Sequence, residues 1–202
     1  MRNLILAFTL ALAQPLAAEV AVCLPIENEL DRLACYDREA GRDTQIEVTS
    51  SLESNWTVRT DVSDFDDTTS VFMSVYSEDP VRCDSYRAPE NIRLILRCME
   101  NTTALLLQTQ SCHLTSGHGD YGNVEYRVDS ASARSREFTE STNSRSLGLW
   151  SGRTAIPFIK GLLENEKLLV RFTPFNHSPV TAEFNISGLD AAIAPLREAC
   201  RW

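Results

Sequence analysis

Six cysteines, Cys23, Cys35, Cys83, Cys98, Cys112 and Cys200, follow an N-terminal segment with the pattern of an export signal, and that combination limits the fold more than any other feature of the chain. Arg2 supplies a positive start, Leu4 to Ala13 is almost wholly apolar, and Leu16-Ala17-Ala18 offers a small-residue cleavage site before Glu19. The apolar run is shorter than the roughly 20 residues that cross a bilayer, and no second such run follows. The reading is a signal peptide over residues 1–18, a mature chain with no membrane span, and a periplasmic or secreted destination. In an oxidising compartment an even set of cysteines forms disulfides. Structural zinc needs cysteines two to four residues apart and thioredoxin-like exchange needs Cys-x-x-Cys; this chain has neither spacing. Val22 stands where a lipid-anchored Cys23 would require a small residue.

A chain of 202 residues can bury about 70% of its extended surface, so the disulfides reinforce a core rather than substitute for one. The formal net charge of −9 is not relieved by any block of Lys or Arg. It argues against nucleic acid or an anionic lipid surface as a partner, and its simplest consequence is solubility.

Three stretches differ in pattern. Residues 19–50 read as a helix and a linker: Asn28 caps, Leu30, Leu33 and Ala34 share a face, and Thr44 to Asn55 has no apolar period. Cys35 falls roughly 9 Å along that helix, and Pro25 favours a return of the chain that brings Cys23 beside it. Residues 51–202 read as a β-rich globular domain. Trp56, Val58, Thr60 and Val62 alternate with polar residues, as do Val71, Met73 and Val75 with Phe72, Ser74 and Tyr76. Ile92–Cys98 and Ala104–Gln110 suggest an antiparallel pair about a short turn, and Val124, Tyr126 and Val128 a further strand. Ser130 to Ser146 reads as a surface loop with a short strand near Phe138.

Thr154 caps a predicted helix with Ile156, Ile159, Leu162 and Leu163 on its core face, ending near Asn165. Leu168–Thr173 and Val180–Ile186 are strands about a hairpin-length loop. The last helix places Leu189, Ile193, Leu196 and Cys200 on one face, and Pro195 should bend or split it. The core-facing phase of Cys200 selects a partner on the sheet, Cys98, which leaves Cys83 for Cys112. The expected fold is α+β: mainly an antiparallel β-sandwich-like domain, disulfide-stapled, with an N-terminal helix and two further helices.

Cys23 with Arg32-Leu33-Ala34-Cys35-Tyr36-Asp37 resembles the N-terminal signature of the VasI/TagO family of periplasmic proteins associated with type VI secretion. Trp56, Asp66-Asp67, Arg97-Cys98 with Asn101 and Thr103, Tyr126-Arg127-Val128-Asp129, Phe184 with Gly188-Leu189, and Cys200-Arg201-Trp202 recur in the family's order. Cys83 and Cys112 are additional to that pattern, and Phe138 stands where it has Trp. The resemblance implies an exported helper that works through protein contacts, with envelope or secretion-apparatus proteins as partners, without known catalysis and with no cofactor.

Weighed on their own chemistry, the polar residues support the same view. His113, His118 and Asp120 near Cys112 have suitable ligand types for a metal, but a Gly-rich loop offers them little support. Asp61, Asp64, Asp66 and Asp67 lack the glycine and distal glutamate of an EF-hand loop and read as a solvated turn. No Gly-x-Ser-x-Gly elbow or His-Glu-x-x-His pair is present, so no catalytic residue is assigned and the chain reads as a non-enzyme. Arg97, Arg127 and Arg171 lie in predicted strands; they mark either a binding face or cross-strand ion pairs with residues such as Asp129 and Glu183. Trp56, Trp150 and Trp202 read as core or core-edge packing. The expected function is that of an exported accessory or binding protein. The competing readings are an inhibitor or binder of an envelope enzyme, and a hydrolase whose site is assembled from distant residues.

Overall fold

The structure, a computed structural model, describes residues 23–26, 32–33, 35–36, 54–83 and 86–202. The signal-peptide reading over 1–18, the Asn28 cap and most of the linker at 44–55 lie outside the described residues. The chain divides into two compact units, residues 1–45 and 46–202. In the first, Arg32, Leu33, Cys35 and Tyr36 are helical, the Arg32 guanidinium donates to the Ile26 carbonyl at 3.1 Å, and a disulfide joins Cys23 to Cys35.

The described residues of the second unit form ten strands and three short helices. In chain order they are β1 (Thr57–Val62), β2 (Thr69–Tyr76), β3 (Arg93–Met99), β4 (Thr102–Gln108), β5 (Asn123–Val128), β6 (Arg134–Glu137), β7 (Thr139–Glu140) and β8 (Ser146–Leu149). Helix α1 (Gly152–Lys160), β9 (Lys167–Phe172), β10 (Val180–Asn185), α2 (Leu189–Ala192) and α3 (Ala194–Cys200) follow. Two antiparallel sheets result, one of six strands in the order β1-β2-β3-β4-β8-β7 and one of four in the order β10-β9-β5-β6.

Alternation in the sequence decides which side chains enter the core. Val71, Met73 and Val75 of β2, Leu94, Leu96 and Cys98 of β3, and Leu105 and Leu107 of β4 form one apolar cluster with Leu168, Val170 and Phe172 of β9 and Phe184 of β10. Side chains of both sheets therefore share a single core. Trp56 is buried in it, and its indole N–H donates to the Ile186 carbonyl at 3.2 Å, so the one polar atom of a large apolar side chain keeps a partner.

The structure differs from the sequence reading at several elements. The expected short β3–β4 turn has only two residues, since the strands run on to Met99 and Thr102, which pair; Glu100 and Asn101 both take positive φ (50° and 55°), the requirement of a two-residue type I′ turn. Ser130 to Ser146 is not simply a loop, since β6 and β7 form on either side of the buried Phe138. Strand β8 was not expected. All four of its residues are buried, so it shows no polar alternation, and its glycine reads as a breaker. Helix α1 is capped at Ser151, three residues before the expected Thr154, and buries Ala155, Phe158 and Ile159, with Ile156 only partly buried. It ends at Lys160, and the Asn165 side chain donates to the Leu163 carbonyl at 2.7 Å in the turn beyond. The second further helix is two helices. Pro195 lacks the N–H to continue the α2 ladder, the break falls at Ile193, and Pro195 sits in the first turn of α3. Leu189, Ile193, Leu196 and Cys200 nevertheless keep one buried face.

Candidate functional site

The side of β1–β4 that faces away from the core carries the least expected chemistry. Cross-strand register aligns Arg59, Phe72, Arg97 and Ala104 in one row, Thr57, Ser74, Ile95 and Leu106 in the next, and Tyr76, Arg93 and Gln108 in a third. Three arginines thus project from one face of a protein whose net charge is −9. Beneath them Ile95, Ala104 and Leu106 form a second, small apolar cluster against Trp150, separate from the main core. Ser74, Ile95 and Leu106 together with Arg59, Phe72, Arg93 and Arg97 line an open cavity of about 310 Å³.

Each arginine lies over an aromatic ring: Arg59 over Phe72 at 5.3 Å, Arg93 over Tyr76 at 5.7 Å and Arg97 over Trp150 at 5.4 Å. Their polar environments differ. Arg59 pairs with the exposed carboxylate of Asp61. Arg93 donates to Ser74 Oγ at 2.9 Å, and its Nε is buried with no acceptor among the described residues. Arg97 is half-buried and has no ion-pair partner among the described residues; desolvation pushes its guanidinium pKa down. Trp150 is fixed above Gly148, with its indole N–H donating to the Thr139 carbonyl at 2.9 Å. Aromatic faces partly offset the desolvation of Arg93 and Arg97, but they supply no negative charge.

The arginines on the four-stranded sheet behave otherwise. Arg171 pairs with Glu125, its directly opposed neighbour, at 3.0 Å. Glu183 pairs with Lys167 instead of an arginine, at 2.6 Å. The Asp129 carboxylate accepts from the Glu166 and Lys167 amides at 3.2 and 2.8 Å, so neither residue named as an arginine partner in the sequence plays that part. Arg127 lines an open cleft with Glu78, Asp129, Glu166, Lys167 and Glu183, where acidic groups already surround the two cations.

Other candidate residues take structural positions. The His113 ring meets Phe175 edge-on at 5.5 Å, whereas His118 and Asp120 contribute backbone carbonyls to the turns before β5. They form no ligand cluster among the described residues. The group that does converge is Cys83, Glu90 and Cys112, within 4.8 Å. Cys83 and Cys112 are joined as a disulfide, which occupies both sulfurs. The Glu90 carboxylate accepts from the Gln110 and Ser111 amides at 2.6 and 2.8 Å and from Ser111 Oγ. Asp66 accepts from the Thr68 amide and hydroxyl at 3.2 and 2.8 Å in the β1–β2 turn, and Asp67 carries that turn's positive φ. Among the described residues no helix is long and apolar enough to cross a membrane.

Residues 22–202 match the family described as type VI secretion system VasI, EvfG. The chain belongs to the VasI family. No curated protein matches the sequence significantly. Among solved structures, invasion associated protein B from Bartonella henselae is similar with a TM-score of 0.42 and 10% identity, over 75% of this chain and 98% of that one.

Most residues that carry the VasI resemblance have visible structural work. Trp56 holds Ile186; Cys98 and Cys200 are joined, tying β3 to α3; the Trp202 indole donates to the buried Thr103 hydroxyl at 2.9 Å. Gly188 supplies the positive φ of 75° at the start of α2, and Asp129 caps the strand entry at Lys167. Arg97 is a half-buried cation stacked on Trp150, with no ion-pair partner among the described residues. Sequence reasoning singled out Arg97 but missed Arg93 and Arg59. Their positions two and four residues from other strand members, on the Phe72–Tyr76 face, were the available signal.

Proposed function

We propose that the protein is an exported, non-enzymatic accessory protein of the bacterial envelope that supports type VI secretion by binding another protein. Membership of the VasI family over residues 22–202 supports the association with that apparatus. Three disulfides suit the periplasm, where thiols oxidise. In this reading the two sheets are the layers of a sandwich whose shared core makes a rigid platform.

The observation that carries the binding role is the outer face of β1–β4. Arg93 and Arg97 are partly desolvated over an apolar floor without acidic partners among the described residues, an arrangement that a stable fold has no need of and a bound partner would complete. Deleting the gene should abolish or strongly reduce release of type VI substrates, and expression in trans should restore it. Osmotic-shock fractionation should recover the protein in the periplasmic fraction. Normal substrate release without the gene, or retention of the protein in the cytoplasm, overturns the reading.

A further inference from the structure

Arg93 and Arg97 lie four residues apart on one face of β3, which separates their Cα atoms by about 13 Å, and Ile95 lies midway between them. Leu106 stands opposite Ile95 in the register, so an apolar floor is flanked by a cation at each end. A peptide lying extended along β3 presents its own residues at the same spacing. Two carboxylates four residues apart would meet the two guanidiniums, and the residue between them would rest on Ile95 and Leu106.

We propose that this face binds an acidic, extended segment of a partner protein with the pattern acidic-x-apolar-x-acidic. The proposal rests on the binding role above and names the partner's chemistry. Charge complementarity selects the occupant. A carboxylate reaching Arg97 supplies the counter-charge that its half-buried position lacks, and one at Arg93 meets a guanidinium whose terminal nitrogen faces only the Ser74 hydroxyl and which has no ion-pair partner among the described residues. A long polyanion such as nucleic acid is disfavoured, because a net charge of −9 repels it beyond the contact while two fixed cations attract only locally. Phe72 lines the cavity and Tyr76, 54% exposed, lies beneath Arg93 beside it; both add apolar surface that would exclude water from the ion pairs.

The test is calorimetric titration of the full exported protein with the capped peptide Ser-Glu-Thr-Leu-Thr-Glu-Ser. Controls are the same peptide with both Glu replaced by Gln, a peptide with the two Glu adjacent, and inorganic phosphate. The matched peptide should bind, and raising salt should weaken it. Arg97→Gln and Arg93→Gln should each weaken binding about tenfold or more, while Arg127→Gln, on the other sheet, should not. Thermal melts of each variant separate a lost site from a lost fold. No binding of the matched peptide, equal binding of the Gln peptide, equal affinity for phosphate, or indifference to Arg97→Gln in a folded variant overturns the proposal. If the peptide fails while gene deletion still blocks secretion, the accessory role survives and the acidic segment does not. If deletion leaves secretion intact, the accessory role falls whatever the peptide does.

Discussion

Glu90 shows how a single carboxylate sets a local structure. Burial opposes its ionisation most strongly, but hydrogen bonds from Ser111 Oγ and from the Gln110, Ser111 and Cys112 amides together outweigh it and hold the carboxyl below its ordinary value of 4.5. The folded state therefore favours the charged form. That stabilisation is fully present above the unfolded pKa and disappears as pH falls through the lowered folded one. Glu90→Gln should reduce the melting temperature at pH 7, and the gap to the wild type should narrow as pH falls below 4.5. Melting curves across that range check it; a gap independent of pH would show that the contact is steric. Glu90 was invisible in the sequence because its partners lie some twenty positions away, on the far side of β3 and β4. Asp66, by contrast, finds Thr68 two residues on, and its turn role was readable from local spacing.

Elements were legible where their period was clean. Strands β1 and β2 followed from alternation, and the α2–α3 break followed from Pro195. Strand β8 was lost because Ser146-Leu147-Gly148-Leu149 is buried on both faces and looks like no pattern at all. Its glycine has a specific task. A Cβ at Gly148 would stand 2.8 Å from the Trp150 ring. Gly148→Ala should displace that indole from Thr139 and from Arg97, at a cost of about 1–3 kcal/mol. Chemical denaturation reads the loss, and a changed near-ultraviolet dichroism signal reports the moved ring. The β3–β4 turn permits the opposite kind of change. Glu100 holds φ at 50°, a region that asparagine tolerates better, so Glu100→Asn should raise stability by about 0.5 kcal/mol. An unchanged or lowered denaturation midpoint would contradict that account of the turn.

Across the whole molecule, cross-links of very different span act on one chain. Sequence separations are 12 for Cys23–Cys35, 29 for Cys83–Cys112 and 102 for Cys98–Cys200. A cross-link restrains the unfolded chain more as its loop lengthens, so removing Cys98–Cys200 should be the most damaging, at about 2–5 kcal/mol. Paired Cys→Ala substitutions compared in denaturant give the ranking, and a larger loss on removing Cys83–Cys112 would show that native-state strain or residual structure dominates instead. The gross architecture was readable because burial leaves a periodic mark along each strand or helix. The arginine-lined face was harder to read, since only cross-strand register brings Arg59 of β1 to the side of β3 that carries Arg93 and Arg97.

That face is where the functional account is most exposed to test. A strain lacking the gene, complemented with the Arg93→Gln/Arg97→Gln double variant, measures it directly, provided the variant melts like the wild type and reaches the periplasm. Substrate release by the type VI apparatus should remain at the level of the deletion strain. Full restoration of release by the folded double variant would contradict the claim that this protein works through its arginine-lined sheet.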